Sequence, residues 1–295
     1  MDITSVRIVD CHVHHWDAVG HRPWYPAMEG AAEDPEGDVL GDHTGGLARR
    51  YLQPQFAADT AGLDVAKIVH VAGSSAAEAY LPEARWIGEM AAAGWPAGVI
   101  GTFDPDEPLA GIEASLGAQA ALPGFRGVRG WFGLDPATPR TKDIFGLFAG
   151  TGWVLDLVIR PSDARAFHSV MAATDPSVTF VVEHGGWPES PEVAHRQDWQ
   201  DAIGLLAELP NAHCKISGFP MVLQSVEATA LRPYVEACID AFGVDRCAIA
   251  SNFPVDRLFG TYRDLMAAYL DIVGDLGPTA VDQLFATNAE RLYRI

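Results

Sequence analysis

Eight short apolar runs recur along the chain, at 6–17, 67–73, 97–104, 125–131, 153–161, 178–186, 212–218 and 247–254. Between most of them lie stretches whose apolar residues repeat at helical spacing. These are 54–63, 78–93, 109–121, 143–149, 162–174, 198–208 and 231–242, with two closing ones at 261–275 and 279–286. Strands that alternate with helices imply parallel strands, because each parallel pair needs a crossover and a helix supplies it. Eight such units in 295 residues imply one closed (β/α)8 barrel of the TIM type. An open doubly wound sheet would want a glycine-rich phosphate turn after an early strand, and neither G-x-G-x-x-G nor a P-loop occurs. No repeat, linker or low-complexity stretch interrupts the pattern, so one domain over 1–295 is expected. Ser162 is placed to cap the helix that starts there, and Thr287-Asn288-Ala289-Glu290 has the form of a capping box.

One interval breaks the rhythm. About fifty residues separate the first apolar run from the second, with Pro, Gly and Asp scattered through them. A loop this long inside a compact domain tends to be functional. It carries Trp16, Trp24 and Tyr25 close together, so 15–53 is expected to distort the barrel locally and to serve as a lid or pocket wall, with those aromatics touching substrate.

In such a barrel the chemistry sits at the C-terminal ends of the strands. The first run, VRIVDCHVHHWD, ends with His12 and His14. Residues i and i+2 of a strand point the same way, so these imidazoles stand side by side, as metal binding or carbonyl polarisation requires. The second and third runs end in His70 and Asp104, the fourth in Arg126 and Arg129, the fifth in Asp156 and Arg160. The sixth brings Glu183 and His184, the seventh Lys215 and Ser217, the eighth Asn252 with Asp256 just beyond. Plainer readings exist for several. His70 suits a core histidine, Asp104-Pro105-Asp106 a turn, and Asp156 with Lys215 a buried pair. Asn252 could simply start a turn, and Asp256 could cap a helix or pair with Arg257. By contrast, Arg129 lies between two glycines beside Trp131, which favours a pocket cation, and His184 precedes two glycines that let a ligand approach the backbone.

Composition narrows the partners. A net charge of −19 argues against nucleic acid, which needs a basic face, but not against an anionic small molecule met by local arginines. No apolar stretch is long enough to span a membrane. The start lacks the basic and apolar regions of a signal peptide, and the four cysteines lack C-x-x-C spacing, so a cytoplasmic protein with reduced thiols is expected. Assembly into a homo-oligomer is compatible with all of this.

Together, DCHVHHWD, HVAGSSAAEAYLPEARWI, FRGVRGWF, VVEHGGWP, ASNFPVDRL and the terminal NAERLYRI are similar to the amidohydrolase superfamily. Within it the chain resembles the lactonase-like group that includes 2-pyrone-4,6-dicarboxylate lactonase, sulfomuconolactone hydrolase and L-fucono- and L-rhamnonolactonases. The pieces span nearly the whole length in the right order. The resemblance implies hydrolysis at an sp² carbon, usually the opening of a small lactone. It implies that His12, His14 and His184 surround the carbonyl, directly or through a divalent metal, and that Arg126 or Arg129 holds a substrate carboxylate. In the family a strand-eight Asp activates the water. Here the motif reads Ser251-Asn252-Phe253-Pro254, and an amide has no useful basicity. The base is therefore expected to be another carboxylate, Asp256 first, with Asp156 and Glu183 behind it. Superfamily metal sites also add a Lys or His on strand five, which this chain lacks, so the expectation is either metal-free chemistry or one divalent ion, such as zinc, on the three histidines. The rivals are a decarboxylase or hydratase on the same barrel, and a binding protein without catalysis.

Overall fold

The computed structural model describes residues 1–28, 46–130 and 133–295. Eight parallel strands form one sheet in sequence order: Arg7–Val13, Asp64–Val71, Gly98–Thr102, Phe125–Gly130, Val154–Leu157, Thr179–Val182, Ala212–Ile216 and Cys247–Ile249. The first and eighth meet through a parallel bridge between Val13 and Phe253. Backbone bonds from Asn252 to the His12 carbonyl (2.9 Å) and from His14 to the Phe253 carbonyl (2.8 Å) seal that seam. The result is the (β/α)8 barrel that the alternation implied.

Two apolar layers hold it. Val9, Cys11, Val69, Val71, Ile100, Val154, Val181 and Ala248 pack together with Tyr293, which the last helix, Asn288–Tyr293, delivers to them. A larger cluster joins the other strand residues to the surrounding helices. Each fully buried Val or Ile contributes about 1.5–3 kcal/mol, and the alternation of side chains anchors the first, second, fifth, sixth and eighth strands to both layers. The four cysteines are free and buried. No helix among the described residues is long and apolar enough to cross a membrane.

Some local expectations give way to tertiary contacts. Thr287 makes no side-chain cap; a π-turn, Gln283–Thr287, runs straight into the last helix. Glu290 pairs instead with Arg7 (2.5 Å) and Lys67 (2.6 Å). Ser162 does not cap either, because Pro161–Asp163 forms a 3-10 turn and the helix starts at Ala164. The helix expected at 198–208 begins earlier, as Val193–Ala207. Asp104 closes a turn, its carboxylate accepting the Asp106 N–H at 2.9 Å, as the Asp-Pro-Asp sequence suggested. Of the long segment expected as a lid or pocket wall, 29–45 lie outside the described residues, as do 131–132.

Candidate active site

His12 and His14 end the first strand at an irregularity. The register with the second strand shifts between Asp10 and Val13. Asp10 holds this distortion: its Oδ1 accepts the N–H groups of His12 (3.2 Å) and Ser251 (3.0 Å), and the Tyr262 hydroxyl donates to its Oδ2 (3.0 Å). The Nε2 atoms of His12 and His14 lie 3.2 Å apart. His14 Nδ1 sits 2.8 Å from the Val71 carbonyl, which can only accept, so His14 carries its proton there and leaves an Nε2 lone pair toward His12. The third imidazole arrives from a strained turn. His184 follows the sixth strand with φ 52° and ψ 36°, a left-handed conformation that a non-glycine residue keeps only where surrounding structure enforces it. Its ring centroid is 4.6 Å from that of His12. Ser217 Oγ lies 2.9 Å from His184 Nδ1, and a Cβ on Gly218 would come within 2.4 Å of the same atom, so glycine there is what lets the ring fit.

All three histidines are buried. Burial, reinforced by the Arg129 and Lys215 charges, holds His12 and His184 well below the usual imidazole range. Burial and then Arg129 bring His14 down to about 3. The site therefore presents neutral imidazoles at pH 7.

A buried charge network lies beside them. Glu183 Oε2 accepts from Arg129 at 2.5 Å, while Glu183 Oε1 lies 3.7 Å from His12 Nδ1 and 3.9 Å from Lys215 Nζ. Lys215 Nζ also reaches Asp156 at 2.5 Å, and the Tyr293 hydroxyl donates to the same carboxylate at 3.1 Å. Burial pulls the Lys215 ammonium down, but Asp156 and Glu183 more than offset it and raise its pKa, so it stays charged. Two cations and two anions thus neutralise one another out of contact with water.

The expected residues sort themselves by geometry. The three histidines converge, and Arg129 joins them through Glu183, its other end donating to the Ala72 carbonyl (3.2 Å). Arg126 does not join them. It starts the fourth strand, donates to the Phe125 carbonyl at 2.8 Å, and packs its stem beside Gly98, next to Ile295. The reason is parity, since strand residues three apart leave on opposite faces. Asn252 (φ 58°) starts a tight turn and donates from Nδ2 to Asp256 Oδ1 at 3.0 Å. Asp256 is buried, with no hydrogen-bond partner for Oδ2 among the described residues. Burial pushes its pKa well above the carboxylate range, and bonds from Asn252 and the Gly218 backbone offset that only in part. Arg257 pairs with Asp59 at 2.9 Å rather than with Asp256, and Thr261 caps the helix that follows.

The aromatics divide. Trp16 stacks on His14, with ring centroids 5.6 Å apart. Trp24 stacks on His21 (4.0 Å) and meets Trp86 edge-on, and the Tyr25 hydroxyl donates to Glu83 at 3.4 Å, so neither is brought to the imidazoles. Glu83 is tied to the Ser74 hydroxyl at 2.6 Å and to backbone N–H groups of Gly73 and Ser74. His70 behaves as the core histidine it resembled, accepting the His15 N–H at 3.1 Å.

The donor set fits a divalent cation. One donor atom each from His12, Glu183 and His184 lies within 4.8 Å of the others, the single such group among the described residues. Two ligands on a tetrahedral zinc, each about 2.0–2.1 Å from it, stand roughly 3.3 Å apart. The 3.2 Å between the His12 and His14 nitrogens matches that spacing. Buried His12 Nδ1 and Glu183 Oε1 also have no hydrogen-bond partner among the described residues.

The family model described as amidohydrolase matches residues 9–295. The uncharacterized protein y4mH of Sinorhizobium fredii is 31% identical over 309 residues, covering 99% of this chain and 100% of that protein. L-fucono-1,5-lactonase of Burkholderia ambifaria is 31% identical over 205 residues, 62% of this chain and 66% of the lactonase. A zinc-bound amidohydrolase crystal structure from Burkholderia multivorans superposes with a TM-score of 0.80 at 21% identity, over 98% of this chain and 99% of that one.

Proposed function

Since the chain belongs to the amidohydrolase family, we propose that it is a hydrolase that opens a small carboxylated lactone by attack of water on the ring carbonyl. The observation that carries this is the convergence of three neutral imidazoles at the ends of the first and sixth strands, with a buried carboxyl group of raised pKa behind Asn252. The neutral His184 ring can donate an N–H to a carbonyl oxygen as it gains charge, and the Arg129 guanidinium adds a fixed positive field beside it. The attacking water loses its proton to Asp256, whose burial raises its pKa above the carboxylate range and so makes it a stronger base than an exposed carboxylate. Asn252, held by that same carboxyl, orients the water or the carbonyl. The water oxygen bonds to the carbonyl carbon, the ring C–O bond breaks as the tetrahedral adduct collapses, and the proton returns to the leaving ring oxygen. The product is an open-chain acid.

His12, Glu183 and His184 are the residues that would hold a divalent ion, zinc among the candidates. Such an ion would supply Lewis-acid polarisation and a lowered pKa for bound water. The zinc in the Burkholderia multivorans structure supports the assignment, and the similarity to L-fucono-1,5-lactonase supports a ring ester as substrate.

The test is a panel of five- and six-membered lactones, with and without a carboxylate, followed by proton release and by identification of the open acid. Ring opening of at least one member is expected. Release of carbon dioxide from aromatic or enoic acids, with every lactone intact, would replace this reading with decarboxylation. Binding without turnover across both sets would make the chain a binding protein.

A further inference from the structure

Arg129 is engaged with Glu183 and the Ala72 carbonyl, which leaves open where the acidic substituent of the proposed substrate would be held. Trp16 points to a place. Its ring stacks on His14, and it also lines a pocket of about 60 Å³ with Leu47, Arg49, Tyr51, Pro254 and Arg257. One water needs roughly 10–15 Å³ in such a measure, so the pocket takes a group of a few heavy atoms, the size of a carboxylate.

The charges around it are uneven. Arg257 is compensated by Asp59 at 2.9 Å, and neighbouring Arg50 by Asp17 at 2.8 Å. Arg49 makes no ion pair or side-chain hydrogen bond among the described residues. Its side chain is exposed and its backbone is held in place: Trp16–Asp17 pairs antiparallel with Arg50–Tyr51, and the Ala18 N–H reaches the Arg49 carbonyl at 3.3 Å. The Trp16 Nε1–H is a second donor. Trp16 is 2% exposed, and that N–H has no partner among the described residues. Its benzo edge faces Gly73, with Cε3 3.2 Å from where a Cβ would stand, and Nε1 lies on the opposite edge of the indole. A buried donor without an acceptor is unfavourable, and a carboxylate oxygen would satisfy it.

We propose that this pocket is the carboxylate subsite, with Arg49 as the principal cation and specificity determinant and Trp16 Nε1 as a supporting donor. The proposal rests on the hydrolase reading for the identity of the ligand, not for the existence of the pocket. In a chain of net charge −19, an uncompensated guanidinium beside the site draws anions to it and away from the acidic surface. Because Trp16 stands between the pocket and His14, the acid must be remote from the reacting carbonyl. A lactone with its carboxylate on the carbon next to the carbonyl cannot reach both.

Two measurements test this on the full chain. Glutarate binding by titration calorimetry probes the pocket without turnover. The wild type should bind it, Arg49→Ala should lose at least tenfold in affinity, and Arg49→Lys should recover only part. The second is the ratio of kcat/KM for a lactone with a remote carboxylate to that for its methyl ester. This ratio should fall at least tenfold in Arg49→Ala. Absence of glutarate binding to the wild type, equal binding by the variant, or an unchanged ratio would overturn the subsite. Loss of glutarate binding in Arg49→Ala, together with a wild type that opens no lactone, would leave the subsite standing and remove the hydrolase reading instead.

Discussion

Glu183 bonds Arg129 at 2.5 Å and stands 3.9 Å from Lys215, with all three side chains buried. Glu183→Gln keeps the volume and removes one of two anions that balance two buried cations. Deleting one partner of a buried ion pair costs about 3–5 kcal/mol, because the remaining charge is left in a medium that solvates it poorly. With an unfolding entropy near 2.1 cal/mol/K per residue, 295 residues give roughly 0.6 kcal/mol/K, so the melting temperature should fall by about 5–8 °C. The double variant Glu183→Gln/Arg129→Met removes the stranded cation as well and should regain at least half of that loss, the remainder reflecting the lost bond to the Ala72 carbonyl. Scanning calorimetry at pH 7 on chelator-treated protein reads both numbers without any contribution from a bound ion, and the cycle isolates the coupling. A single variant that melts within 2 °C of the wild type, or a double variant no more stable than the single, would refute the claim that charge balance holds this network.

Three further outcomes follow from the site. The base limb of kcat/KM should fall as pH drops through the raised pKa of Asp256, with a midpoint above the ordinary carboxylate value of about 4, and Asp256→Asn should remove that limb and about 10²–10⁴ of the rate; an unshifted profile would move the base elsewhere. Gly218→Ala puts a methyl where His184 Nδ1 now sits 2.4 Å away, at φ 69°, so kcat/KM should drop about a hundredfold through misplacement of the ring; wild-type kinetics in a folded variant would dissociate His184 from the chemistry. Zinc titrated into the chelator-treated protein should bind at one ion per chain and do so far more weakly to His12→Ala, which calorimetry reads independently of activity.

The barrel was legible because each strand is a short apolar run and the intervening helices keep their own period, so two periodicities mark seventeen segments without any partner being known. The three histidines were legible by the same logic. Period two puts His12 and His14 on one face, and strand ends in a parallel barrel share one mouth. Even the misplacement of Arg126 was legible in principle, since it and Arg129 are an odd number of residues apart. What could not be read were groups whose meaning lies in distant partners. Asp10 is bonded to Ser251 and Tyr262, 241 and 252 positions away, and Glu290 leaves its capping pattern for Arg7, 283 positions away. Local propensity is worth tenths of a kcal/mol, and such contacts outweigh it.

Asn252 is the instructive case, because it looked like the loss of a functional group. Its Nδ2 donates to Asp256 Oδ1 at 3.0 Å in a buried site, and Asp10 adds a further negative field there. An aspartate at 252 would set two carboxyl groups at hydrogen-bond distance out of contact with water, where like charges cannot both persist and one must keep a proton. An amide at 252 supplies a donor to the carboxyl behind it and leaves a single group to titrate. On the proposed reading, the carboxylate has moved one layer back, from the strand end to the turn that follows it. The proton acceptor then keeps its basicity through burial: Asn252 occupies its Oδ1 and orients the water, and Oδ2, without a hydrogen-bond partner among the described residues, is the oxygen that takes the proton.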